Sequence, residues 1–236
     1  MADNTVINSE FTREISLIGK DAFDKLREST VMIFGLGGVG SYAAEALARA
    51  GIGKLVLVDS DKVDITNINR QLYALHSTVG MNKTQVAAAR IHDINPHCIT
   101  QAITAFYNAG DGEKFFTDSC SYVVDAIDTV SAKIDIAVEC EKRKIPLISC
   151  MGTGNKLHPE LFEISDIYKT SVCPLCRVMR KELKNRNVGK LKVVYSKEQP
   201  QSIDKLSRVP ASVSFTPPVA GMLLAAEVVR DICQIK

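Results

Sequence analysis

Short β-branched apolar runs alternate with longer stretches of helical periodicity along this chain. Residues 31–34 form one such run, 41–50 are rich in alanine and other helix formers, and 54–58 return to a strand pattern, which together predict one βαβ unit. Helical periodicity resumes over 83–94 and stops at Asn95 and Pro96. A buried strand is predicted at 121–124 leading to Asp125, then a helix over 132–144 and a further strand at 146–149. Thr216, Pro217 and Pro218 suit a helix start. The apolar run 219–226 behind them is far shorter than the roughly 20 residues a membrane helix needs. Glu227, Arg230 and Asp231 end it, so it predicts a core helix and no membrane partner. Strands alternating with helices imply an α/β fold: a Rossmann-like, mostly parallel sheet with helices on both faces and ligands beyond the carboxyl ends of its strands.

Composition narrows the picture. A chain of 236 residues with 46% hydrophobic content can bury one substantial core, and no repeat or flexible linker divides it. A single domain is expected, with a helical arm (1–30), a core (31–150) and a closing segment (151–236). Residues 184–210 carry little pattern and read as a mobile substrate-binding loop. The opening Met-Ala-Asp-Asn-Thr has neither the basic start nor the apolar run of a targeting segment, so a cytoplasmic protein is expected. Seven scattered cysteines lack the spacing of a disulfide scaffold and should be reduced. Net charge is only +2, yet residues 177–192 hold seven Lys or Arg against one acid, Glu182. The rest of the chain is therefore mildly acidic and carries one basic segment, the pattern an anionic partner requires and a solvated helix face also displays.

The densest motif is Gly35-Leu36-Gly37-Gly38-Val39-Gly40, directly after a predicted strand and opening a helix, with Asp59 closing the next strand. Gly35 allows the tight turn, Gly37 lets backbone approach a phosphate, Gly38 lies beside it in the turn, and Gly40 permits close helix packing. The helix start offers N–H groups to an anion, and Asp59 can accept from ribose hydroxyls. Alone, the motif favours a dinucleotide such as NAD, and a redox protein is one reading of the chain.

The next stretch shifts the balance. Asp59, Asp61 and Asp64 are followed by Asn67, Asn69, Arg70 and Gln71 in a loop-like run, where a dehydrogenase would ordinarily enter a helix. A glycine loop, Asp-x-Asp, Asn-x-x-Arg-Gln, Lys83 opening the next helix and Asp128 after a later strand occur in order. This pattern resembles the ubiquitin-activating-enzyme-like adenylyltransferases, the ThiF type of adenylation fold, over roughly residues 10 to 150. The resemblance implies ATP and Mg²⁺ as cofactors. Gly35, Gly37, Gly38, Gly40, Asp59, Asp61, Asn67, Arg70 and Lys83 would bind the nucleotide, and Asp128 would hold the metal. It also implies a homodimer in which Arg13 reaches the triphosphate of the neighbouring subunit, so that Arg13, Arg70, Lys83 and Asp128 form the catalytic set.

Within that superfamily, activators of sulfur-carrier proteins typically hold a structural zinc with two Cys-x-x-Cys pairs. Here only Cys173 and Cys176 make such a pair, with Cys233 alone near the end and His158 a weak fourth ligand, so structural zinc is not expected. Buried, incidental thiols are the expectation for the pair, and Cys150 near a strand end is a thiol to test. Residues 167–180 and 146–154 resemble the tRNA threonylcarbamoyladenosine dehydratases. That resemblance implies ATP-driven cyclisation of a modified adenosine in tRNA, with tRNA and a possible sulfur-transfer protein as partners. At helical spacing Arg177, Arg180, Lys181 and Lys184 gather on one side as a tRNA-binding stripe, extended by Arg186, Lys190 and Lys192, while Val178, Met179 and Leu183 gather on the other. Activation of a sulfur-carrier protein and NAD-dependent redox chemistry remain the competing readings.

Overall fold

The computed structural model describes residues 10–117, 119–201 and 210–235. Seven strands form one sheet: β1 (Thr30–Phe34), β2 (Lys54–Val58), β3 (Ile99–Ile103), β4 (Tyr122–Asp125), β5 (Leu147–Cys150), β6 (Phe162–Asp166) and β7 (Lys192–Ser196). Their spatial order is β3-β2-β1-β4-β5-β7-β6, and every pair is parallel except β6 with β7. The order reverses direction at β1 and β4, which puts a crevice at their carboxyl ends, the position where doubly wound sheets bind ligands.

Alternation along the central strands sorts side chains between two faces. Val31, Ile33, Leu55 and Leu57 point to one face. There they meet α2 (Lys20–Glu28), α3 (Gly40–Arg49), α4 (Lys83–Ile94) and α8 (Thr216–Cys233) through Leu26, Ala43, Leu47, Ile91 and Leu224. Met32, Phe34, Val56 and Val58 point to the other, against Phe115 of α5 (Gly112–Phe115) and Ala132, Ile136 and Cys140 of α6 (Val130–Arg143). Further along that face, Val193 and Tyr195 pack beneath α7 (Pro174–Lys184). The apolar run near the C-terminus is the middle of α8, a core helix, and no helix of the described residues is long and apolar enough to cross a membrane.

The strands at 31–34, 54–58, 121–124 and 146–149 appear within a residue of their expected bounds, as do the helices at 41–50 and 83–94, while that at 132–144 begins two residues early. Two differences matter. The segment 184–210 contains β7, which inserts between β5 and β6 and is buried over Val193–Ser196, so residues 192–196 are sheet and not loop; residues 202–209 lie outside the described set. Strand β3 was not expected because its pattern is polar and half exposed, as an edge strand's can be.

Candidate active site

The glycine turn lies where expected, joining β1 to α3. Gly35 has φ +88, and a side chain there would stand 2.8 Å from the Ala126 carbonyl oxygen. Gly40 is tighter still: its Cβ would fall 1.8 Å from the Gly35 oxygen. The first position therefore needs the left-handed conformation and the last needs zero side-chain volume. Helix α8 closes on the same turn, with Pro217 against Gly38.

Asp59 directly follows β2 and turns back into the glycine turn. Its Oδ2 accepts the Leu36 N–H at 2.7 Å and its Oδ1 the Asp61 N–H at 2.8 Å, so the carboxylate fixes the turn and keeps further lone pairs for other donors. Burial raises its pKa above the ordinary value, partly countered by the positive charge of Lys83 and by these two amide bonds. Lys83, at the start of α4, is buried, and its Nζ donates to Asp61 Oδ2 at 2.8 Å. The cation is thus held beside two aspartates at the mouth of the crevice, and Asp61, its direct partner, is 64% exposed.

The Asn67–Gln71 run folds as a tight turn. Asp64 caps it by accepting from Thr66, and Asn67 Oδ1 accepts the Asp64 N–H at 3.1 Å, so the oxygen of Asn67 serves the turn while its amide nitrogen has no described partner. Arg70 donates to the Thr66 carbonyl and to Asn69 Oδ1, both at 2.9 Å, and its Cγ lies 3.5 Å from where a Gly38 side chain would stand. Asn69 in turn donates to the Ser212 carbonyl, tying this turn to the segment that leads into α8.

Asp128 stands exposed in the loop after β4, without a described hydrogen bond or ion pair. What holds that loop was not legible in the sequence. Lys133 and Asp125 are both fully buried and pair at 3.0 Å. Lys133 Nζ also donates to the Ile127 carbonyl, and Ser149 donates to Asp125 Oδ2 at 2.5 Å. Three elements, β4, β5 and α6, therefore converge on Asp125 and Ile127, three and one residues before Asp128. The only signal for Lys133 was a lysine on the first turns of a helix after an apolar strand, which reads equally well as a surface cation.

Arg13 lies exposed on α1 (Thr12–Ile18), away from this cluster. Phe11 just before it packs on Phe23, and both rings abut Gly51, beyond the far end of α3. The glycine turn sits at the other end of that ten-residue helix, about 15 Å away along its axis.

Helix α7 departs from its expected facing. It buries Cys176, Met179 and Leu183, whereas Val178 is 46% exposed, so a small thiol and not the valine completes the apolar side. Arg180 folds inward, donating to the Thr170 carbonyl at 3.1 Å and to its hydroxyl, which braces α7 against the turn at Ile167–Lys169. Arg177, Lys181 and Lys184 remain exposed. Arg186 pairs with Glu182 at 2.6 Å, and Lys192 does not extend the stripe: its ammonium is bound by Glu227 and Asp231 of α8. His158 pairs with Glu160 at 2.9 Å, and among the described residues no three His, Cys, Asp or Glu gather to hold a metal. Cys150 is buried, with its thiol pushed up to about 12 by burial, which makes it a poor nucleophile.

The order of these parts is matched at family level, since residues 11–236 match the ThiF family. The chain belongs to the ThiF family. Within it, the tRNA threonylcarbamoyladenosine dehydratase of Bacillus subtilis is 45% identical over 239 residues, covering 94% of each chain. The solved structure of the Escherichia coli tRNA N6-threonylcarbamoyladenosine dehydratase in complex with ATP is similar to this ThiF-family chain with a TM-score of 0.88 and 31% identity, covering 95% of this chain and 94% of that one. The same protein in complex with AMP gives 0.87, covering 98% of both.

Proposed function

We propose that this chain is an ATP-dependent tRNA threonylcarbamoyladenosine dehydratase, which cyclises the modified adenosine through an acyl-adenylate. The observation that carries the reading is one crevice where a helix start, Arg70 and Lys83 offer positive charge beside Asp59, in a chain similar along its length to a dehydratase solved with ATP and with AMP.

The chain acts as a single adenylation unit, because one sheet runs from the glycine turn through β6 and β7. The amides of the glycine turn and the side chains of Asn67, Arg70 and Lys83 hold the triphosphate, Lys83 exchanging Asp61 for a phosphate oxygen. Asp59 and Asp61 face the ribose side. Asp128 fits a hard, oxygen-seeking cation, being a carboxylate with no described protein partner, and Mg²⁺ held there would neutralise phosphate charge. A threonyl carboxylate oxygen attacks the α-phosphorus and pyrophosphate departs. The carbamoyl nitrogen, a few atoms away, then attacks the activated carbonyl carbon, closing a five-membered ring as AMP leaves with the former carboxylate oxygen. That second step is intramolecular and draws on a large effective molarity, so the protein's work is positioning and charge stabilisation. No thiol is required.

Arg13 serves the neighbouring protomer of a homodimer, a role suited by its place on α1, whose preceding Phe11 packs at the end of α3 away from the chain's own glycine turn. Arg177, Lys181 and Lys184 meet the tRNA backbone, with Arg180 bracing the helix that carries them.

The test is direct: purified chain, Mg-ATP and tRNA bearing threonylcarbamoyladenosine should yield a nucleoside lighter by one water, and Lys83→Met should abolish the change. An unchanged nucleoside mass with ATP demonstrably bound overturns the reading. Pyrophosphate exchange that depends on a small protein ending in Gly-Gly would point instead to carrier activation.

A further inference from the structure

The proposed reaction leaves one built feature unused. Cys173, Pro174, Leu175 and Cys176 open α7, with Cys173 at the N-cap and proline in the first turn. Helical spacing places the Cα atoms of residues three apart at about 5 Å, inside the 4.4–6.8 Å that a disulfide spans. The two thiols are neighbours, both buried, and each is the leading influence on the other's titration. The backbone N–H groups of Cys176, Gly152 and Leu175 further favour the charged form of the Cys173 sulfur. Just before it, Val172 sits at φ +63 and the Cys173 N–H reaches the Ser171 carbonyl at 2.6 Å. This is a tight γ-turn centred on a β-branched residue, a strained arrangement. Ser171 and Val172 are exposed, so opening the strained turn uncovers the otherwise buried sulfur.

We infer that Cys173 and Cys176 form a thiol–disulfide exchange site, with Cys173 the attacking sulfur, Cys176 the resolving one and a low-molecular-weight disulfide the co-substrate. The Cys173 thiolate attacks one sulfur of the disulfide, forming a mixed disulfide and expelling a thiolate. Cys176 then attacks the Cys173 sulfur, its proton passing to solvent, and expels the second thiolate. The protein loses two electrons and two protons, and one disulfide becomes two thiols.

The surroundings fit those roles. The neighbouring Cys176 thiol, acting against burial and assisted by the three amides, lowers the Cys173 thiol below its ordinary value. Cys176 is shifted upward by the same contact, so it is the thiol that keeps its proton. Lys156, in the loop after β5, faces the pair with its charge, Arg180 faces Cys176 from α7, and the neutral Cys150 thiol lies behind them. The other five thiols are all shifted upward with burial the leading cause, Cys98 to about 11, which makes Cys173 the one thiolate former near neutral pH.

The test uses the intact chain and the symmetrical disulfide of 2-mercaptoethanol, read by intact mass and peptide mapping. Wild type should lose two hydrogens and yield a single cross-linked peptide joining Cys173 to Cys176, with a rate that reaches half its plateau below the ordinary thiol value of 9.0. Cys176→Ser should stop at one mixed disulfide on Cys173, and Cys173→Ser should leave Cys176 unmodified. The site is overturned if wild type reacts only after unfolding, or if another cysteine reacts first. These readouts need neither ATP nor tRNA, so their failure would leave the dehydratase reading standing, and the reverse.

Discussion

Replacing Lys133 by methionine tests how the loop bearing Asp128 is held. The wild-type ammonium lies 3.0 Å from Asp125 Oδ1 with both side chains fully buried, and it also donates to the Ile127 carbonyl at 3.0 Å. Methionine fills much of the volume and leaves Asp125 with the Ser149 hydroxyl and the Ile127 amide but no cation. Breaking one side of a buried pair costs about 3–5 kcal/mol, since the stranded carboxylate has no water to turn to. That is a large part of a total stability of roughly 5–15 kcal/mol. At roughly 2–4 °C per kcal/mol for a chain of this size, the unfolding midpoint should drop by roughly 6–20 °C. The double variant Asp125→Asn with Lys133→Met removes both charges and should recover most of the loss in urea unfolding. It still lacks the bond to Ile127, one residue before Asp128, so Mg-ATP binding by calorimetry should stay weaker than wild type after stability has returned. A single variant within about 1 kcal/mol of wild type, or a double variant no better than the single, would refute the reasoning.

Gly40→Ala should abolish nucleotide binding and lower stability together, because its methyl would sit 1.8 Å from the Gly35 oxygen; ordinary ATP affinity in a titration would contradict that. Asp59, whose pKa is raised chiefly by burial, gives a signed pH dependence. The folded state binds its proton more tightly than the unfolded chain, so the stability it contributes is fully present below the ordinary value near 3.8 and lost as pH climbs through the raised one. Nucleotide affinity should move the opposite way, rising as the carboxylate ionises, and Asp59→Asn should flatten both profiles. Substituting Arg177, Lys181 and Lys184 together by glutamine should reduce the slope of log affinity for tRNA against log salt by roughly 0.7–0.9 for each phosphate no longer neutralised. A parallel shift with unchanged slope would remove those residues from the tRNA surface.

The local features of this protein were legible in the order of residues along the chain. The glycine turn, the strand that leads into Asp59, the turn at Asn67–Gln71 and the lysine that opens α4 each need a particular residue type at a fixed spacing, so the order of residues reports them. Unbroken apolar runs along β1, β2 and β4 likewise announce two covered faces, because a strand buried on both sides has few polar positions. What the chain order could not reveal is which charge finds which partner. Arg180 and Lys181 are adjacent on one helix, yet the first turns in toward Thr170 and the second stays in water. Lys192 seemed part of a basic stripe until the packing of α8 put Glu227 and Asp231 around it. Lys133 became the prop of the Asp128 loop only because β4, β5 and α6 enclose it completely. Charge energetics depend on desolvation and on distance through space, and both are fixed by how separate elements pack, so these assignments belong to the tertiary structure alone.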